Sequence, residues 1–176
     1  MRYVGHVLLA AATLVVSFPQ QPSVPPHSDV SAQIRIVGDV TTPLTLSAGD
    51  LKNLPRKTVK VVNPHENKEE TYEGVSVQEL LRRAGVPQHE KLRGAAMTMY
   101  VLAEASDGYR VVYALAELDS DFQDSDVIVA DTVNSSPLGD KQGPFKMVAP
   151  RDKRPARWIR MLKSLTVVTA ASSSKP

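Results

Sequence analysis

Apolar and polar residues alternate along much of this chain with the two-residue period of half-buried strands. Gln33-Ile-Arg-Ile-Val-Gly is the first such run, and Leu44-Thr-Leu follows it. Ser47, with Asp50 three residues on, is the capping signature of a short helix that Pro55 stops. Residues 57–62 predict another strand, which runs into a polar loop or hairpin tip over 63–70. The period then changes to that of a helix. After Tyr72-Glu-Gly-Val, the positions Val77, Leu80, Leu81 and Ala84 share one face, with Ser76 and Glu79 spaced as a capping box and Gly85 placed for a left-handed C-terminal cap. Residues 97–105 and 109–114 predict two strands joined at Ser106-Asp107-Gly108, since Asp-Gly is a strong hairpin signal. A short helix over 114–118, a strongly apolar strand over 127–131, a turn over 134–139 and strands over 145–149 and 164–169 complete the pattern. Strands outnumber the short, interspersed helices, which predicts an α+β domain with mixed or antiparallel sheets.

The two ends read differently. Arg2 followed by the apolar run from Val7 predicts a signal peptide or an uncleaved N-terminal anchor over 1–18, too short an apolar run for a comfortable bilayer span. Residues 19–32 form a Pro-rich linker, 33–170 a single domain and 171–176 a flexible tail. The expectation is an exported protein, periplasmic or extracellular, meeting a membrane only through that N-terminal anchor.

Composition then narrows the chemistry. The chain has no cysteine, which removes disulfides, thiolate metal sites and Cys nucleophiles. Its four histidines, at 6, 27, 65 and 89, show no metal-ligand spacing, so no metal site is expected. Asp119, Asp121, Asp124 and Asp126 put oxygen atoms at intervals like those of a calcium loop, but without its glycine and distal glutamate they read as a solvated acidic loop. Formal net charge is only +2, yet residues 141–163 hold eight basic side chains against the single acid Asp152. Guanidinium forks and ammonium groups pair well with phosphate and carboxylate oxygens, so this segment is the candidate anion site. Interleaved aromatics that would stack on bases are lacking, which argues against a nucleic-acid partner. Trp158 reads as a core or rim anchor, and Tyr109 as a turn residue with a secondary candidacy for ligand contact.

Several pieces, in order, resemble the small stand-alone members of the sulfite-oxidase-like, molybdopterin-binding oxidoreductase family. They are Leu46-Ser-Ala-Gly-Asp-Leu-Lys-Asn-Leu-Pro, Tyr72-Glu-Gly-Val-Ser-Val-Gln-Glu-Leu-Leu, Ser106-Asp-Gly-Tyr, Val129-Ala-Asp, Gly143-Pro-Phe-Lys-Met-Val-Ala-Pro and Arg157-Trp-Ile-Arg-Met-Leu-Lys-Ser-Leu. The resemblance implies that family's fold. It also implies that Lys146 and Arg160 stand at positions where basic residues hold the phosphate end of the pterin, each with the usual arginine or lysine exchanged for the other. Lys141 stands where full enzymes carry histidine; Arg157, from the basic segment, and Tyr109, from the turn, complete the candidate cofactor-binding set. The family's metal-ligating cysteine has no counterpart here. In the loop where it should fall, Asn63, His65 and Glu66 are the polar candidates.

Retained positive charge without a metal ligand predicts a non-catalytic binding module for a small anionic ligand or an envelope protein partner. No cofactor is expected on that reading, with molybdopterin the one the resemblance leaves open. A molybdopterin-dependent oxidoreductase with a non-cysteine metal ligand is the enzymatic alternative, and a structural component of an envelope complex is the third.

Overall fold

Ten strands form among the described residues, including one over 68–76, where the sequence predicts the end of a polar loop, and a two-residue strand within the turn expected over 134–139. The computed structural model describes residues 32–63, 67–124 and 126–171. The expected leader, most of the linker, the tail beyond residue 171, and the loop residues His65 and Glu66 lie outside the described residues. Among the described residues, no helix is long and apolar enough to cross a membrane.

One sheet is built from β1 (Gln33–Gly38), β2 (Leu44–Ser47), β5 (Met99–Ala105), β6 (Arg110–Ala114) and β10 (Leu162–Thr169), in the order β2-β1-β10-β5-β6. The first and last strands, β1 and β10, are parallel neighbours with Arg35 opposite Ser164, and the other pairs in this sheet are antiparallel. The second sheet is β3 (Arg56–Asn63), β4 (Lys68–Ser76) and β7 (Ile128–Val133), with two short strands on the far edge of β7. β8 (Ser136–Pro137) pairs with the end of β7, and β9 (Lys146–Val148) with its beginning.

The two short helices show where local sequence decides and where tertiary pairing overrides it. In α1 (Ala48–Lys52) the capping box forms as expected, Asp50 N–H donating to the Ser47 hydroxyl and the Ser47 N–H to the Asp50 carboxylate. Ahead of α2 (Val77–Arg83) the Ser76 and Glu79 box does not form. Ser76 is still the last residue of β4, paired with Ile128, and Glu79 is held by Arg82 and Arg83 at 2.7 Å each. The Val77 N–H is instead satisfied by the Val127 carbonyl. The apolar face of α2 is buried, as its spacing predicted, and Gly85 adopts φ +77°.

Strand β7 is buried on both faces. Val129 joins the main core with Ile34, Ile36, Leu80, Val101, Phe145 and Leu165. Ile128 and Ala130 face the other way, into a smaller cluster with Val61, Tyr72, Leu138 and Val148. The same alternation in β9 sends Met147 into the main core and leaves Lys146 and Val148 on the face of the smaller cluster. Trp158 packs against both clusters.

Gly74 explains part of the Tyr72-Glu-Gly-Val motif. The β4–β7 register shifts between Glu73 and Gly74, and a Cβ at Gly74 would lie 2.0 Å from the Val129 carbonyl oxygen. Only a bare backbone fits that approach. Gly74→Ala should therefore lower stability by about 1–3 kcal/mol, the usual range for overpacking, read as a lowered urea midpoint at constant slope.

Candidate functional site

Placed on the outer face of the second sheet by that alternation, Lys146 is 7% exposed. An isolated buried ammonium would cost several kcal/mol, so its surroundings must supply acceptors. Its Nζ donates to the Tyr72 hydroxyl at 2.7 Å and to Gln142 Oε1 at 2.6 Å. Nζ also lies 4.5 Å from the Tyr72 ring centroid and 5.5 Å from that of Trp158, within the range of cation–π attraction. The two rings meet edge to face, 6.3 Å apart, and the indole N–H is fixed on the Ala149 carbonyl.

The bonds continue in one direction. Tyr72 donates its hydroxyl proton to Glu70 Oε2 at 2.8 Å, and Asn63 donates its amide to Glu70 Oε1 at 2.9 Å. Burial, then the hydrogen bond and charge of Glu70, push the Tyr72 phenol well above its ordinary value. Burial brings the Lys146 amine down to about 8; the Glu70 charge opposes this and the Arg160 charge adds to it.

These residues line a cavity of about 460 Å³, together with Tyr109, Pro155, Ala156 and Arg160. Tyr109, half exposed, ties the β5–β6 turn to the opposite wall by donating its hydroxyl to the Ala156 carbonyl at 2.6 Å. Arg160 is exposed and has no ion pair among the described residues. The cavity thus offers a buried ammonium and an unengaged guanidinium, with aromatic and proline walls between.

Of the five residues singled out from sequence, three line this cavity: Lys146, Arg160 and Tyr109. Lys141 is exposed and lies outside the lining, while its neighbour Gln142 is inside it. Arg157 points elsewhere. Its fork grips Asp152 at 2.7 and 3.0 Å and Glu117 at 2.8 Å, and it sits 4.7 Å from the Tyr113 ring centroid. Asp152, outweighing the effect of burial, and Glu117 raise its already high basicity further. A guanidinium so engaged is a structural tie between the loop over 152–157 and the turn after β6, not an open anion site.

Glu70 and Gln142 are not among the candidate residues of the sequence, and Tyr72 enters there only as the start of the Tyr72-Glu-Gly-Val motif. Glu70 and Tyr72 share a strand face by their two-residue spacing, and an acid beside a tyrosine on a face that also buries apolar residues was the available signal. Gln142 carried none.

A second cavity, of about 440 Å³, lies at the N-terminal end of α2. Most of its charged groups have partners: Glu79 with Arg82, Lys57 with Asp126 at 3.0 Å, His89 with Asp121, outside the lining, at 2.9 Å, and the exposed Asp124 with Arg151 at 3.7 Å. Here the acidic loop departs from the solvated reading. Asp119 is only 2% exposed and accepts the N–H groups of His89 at 2.7 Å and Asp121 at 2.9 Å. His89, Asp119 and Asp121 bring three metal-capable groups together, which sequence spacing did not foresee. The two backbone donors account for the burial of Asp119 as an organiser of the loop.

The fold is similar to that in the crystal structure of the sulfane dehydrogenase SoxCD from Paracoccus pantotrophus, with a TM-score of 0.62 at 19% identity. The superposition covers 81% of this chain and 39% of that one, so the present chain spans well under half the length of that protein. No curated protein sequence matches. A family model described as the oxidoreductase molybdopterin binding domain matches residues 22–175, and the chain belongs to that family.

Proposed function

We propose that this chain is an exported binding module of the molybdopterin-binding oxidoreductase family, and that it holds a small anionic ligand between Lys146 and Arg160. The observation that carries this reading is the state of the two cations. An ammonium has three N–H donors, and Lys146 commits two of them to Tyr72 and Gln142, which leaves one for a ligand. Arg160 has no ion pair or hydrogen bond to its fork among the described residues.

The expectation that no cofactor binds is not supported by family membership, since the family is described by molybdopterin binding. The cavity residues fit one end of that group. Two cations suit a phosphate, and the aromatic side chains of Trp158 and Tyr109 in the lining suit contact with a heterocycle. They do not fit the metal-thiolate end, because the chain has no cysteine. When bound, molybdopterin supplies redox chemistry through its metal. The residues of this chain contribute anion binding and a desolvated wall.

Inorganic sulfate is a suitable probe, because its charge is constant through the neutral range. Isothermal titration should show Arg160→Glu weakening sulfate binding by about tenfold or more, from the loss of a charge-assisted contact worth about 1.5–3 kcal/mol. Unchanged affinity in a variant with a native circular dichroism spectrum would remove Arg160 from the site. Molybdenum and pterin analysis of protein from a cofactor-competent host then separates a pterin ligand from another anion.

The position of Lys146 also sets a pH dependence. Sulfate affinity should fall as pH rises through about 8, because the ammonium loses its charge there. Stability should move the opposite way. The folded-state value lies below the ordinary 10.5, so the unfolded chain binds the extra proton between those limits and the Lys146 contribution rises with pH across them. Lys146→Met should flatten both profiles, measured by titration calorimetry and by urea midpoints.

A further inference from the structure

Resting on that binding reading, we infer that the cavity captures its ligand covalently and reversibly. The Lys146 amine condenses with the carbonyl carbon of a small oxo-carboxylate whose carboxylate is held at Arg160.

Three features of the site point to this. The amine is buried yet lines an open cavity, between the Tyr72 and Trp158 rings. A desolvated lysine beside a second cation is the environment that frees an amine for attack on carbonyls. With the Lys146 amine near 8 against about 10.4 for an exposed lysine, its neutral fraction near pH 7.4 is roughly two-hundredfold higher than that of a surface lysine. The surface lysines Lys57 and Lys60 are more than half exposed and ion-paired to Asp126 and Glu69. Finally, Nζ is bonded directly to the Tyr72 hydroxyl, which is bonded onward to Glu70. As Tyr72 accepts a proton from nitrogen it passes its own to Glu70, so the ammonium can be discharged without water reaching it.

The step balances without an oxidant or reductant. The nitrogen lone pair forms a bond to the carbonyl carbon, and the C=O π pair moves to oxygen. That oxygen takes up two protons in all, one released from the neutral amine nitrogen and one returned along the Tyr72–Glu70 chain, and leaves as one water. What remains is a protonated imine. Its retained positive charge lies beside Glu70, and the ligand carboxylate pairs with Arg160. Hydrolysis reverses every step.

Pyruvate with sodium cyanoborohydride tests this on the intact protein at neutral pH, with reduced adducts located by peptide mass mapping. Adduct at Lys146 should exceed that at Lys57 or Lys60 by at least about tenfold. Excess sulfate should suppress it, and Arg160→Gln should reduce it while leaving surface labelling unchanged. Lys146→Arg, which keeps the charge, should abolish the preferred adduct. Labelling spread evenly over surface lysines in the wild-type protein would overturn the inference without needing any variant to fold. If sulfate still binds in that case, the anion-site reading survives and only covalent capture fails; if sulfate does not bind either, both fall.

Discussion

A charged amine sits on an otherwise apolar strand face, and much of the second sheet is arranged to tolerate it. Lys146 belongs to a three-residue strand whose other members, Met147 and Val148, are fully buried on opposite faces. Desolvation of the ammonium is offset by two short hydrogen bonds and two aromatic rings. Three residues supply these four contacts: Tyr72, from β4, gives a hydrogen bond and a ring, Gln142, in the turn before β9, gives a hydrogen bond, and Trp158, in the loop before β10, gives the second ring. The requirement to satisfy one nitrogen therefore fixes the relative positions of three segments. The cavity is the space left between them.

The charges of the basic segment divide into two kinds. Arg157 is consumed in holding the fold, gripping Asp152 and Glu117 from a position beside Tyr113. Arg56 does similar work between β3 and β7, forking onto Asp131 at 2.6 and 2.8 Å. Burial alone would raise the Asp131 carboxyl, but the Arg56 fork and the Thr132 hydroxyl outweigh it and hold it below the usual range. Lys146 and Arg160 are the cations turned toward the cavity, and they differ in character. One is buried and hydrogen-bonded, and the other is exposed with no ion pair among the described residues.

The sequence showed most of the scaffold, because its signals are local. The Ser47–Asp50 cap, the turn at Asp107-Gly108, the left-handed Gly85 and the alternation in β1 and β10 all depend on neighbours within a few residues. The failure at Ser76 and Glu79 has the opposite cause: a strand partner fifty residues away kept Ser76 extended. The site was legible as positive charge but not as geometry. A lysine in a strand reads as solvated, and nothing near Arg157 in sequence announces Glu117, forty residues upstream, as its partner. His89 and Asp119 were likewise separated by thirty residues before the fold joined them.

The parallel pairing of β1 with β10 bears on how the chain reaches this state. β10 lies between β1 and β5, so the first sheet exists as two separate hairpins until the last strand has inserted. Sheet completion waits on contacts spanning nearly the whole domain, which makes the order of events slow and late-closing. Until residues 162–169 are in place, the backbone N–H and C=O groups on the facing edges of β1 and β5 lack their partners in the sheet.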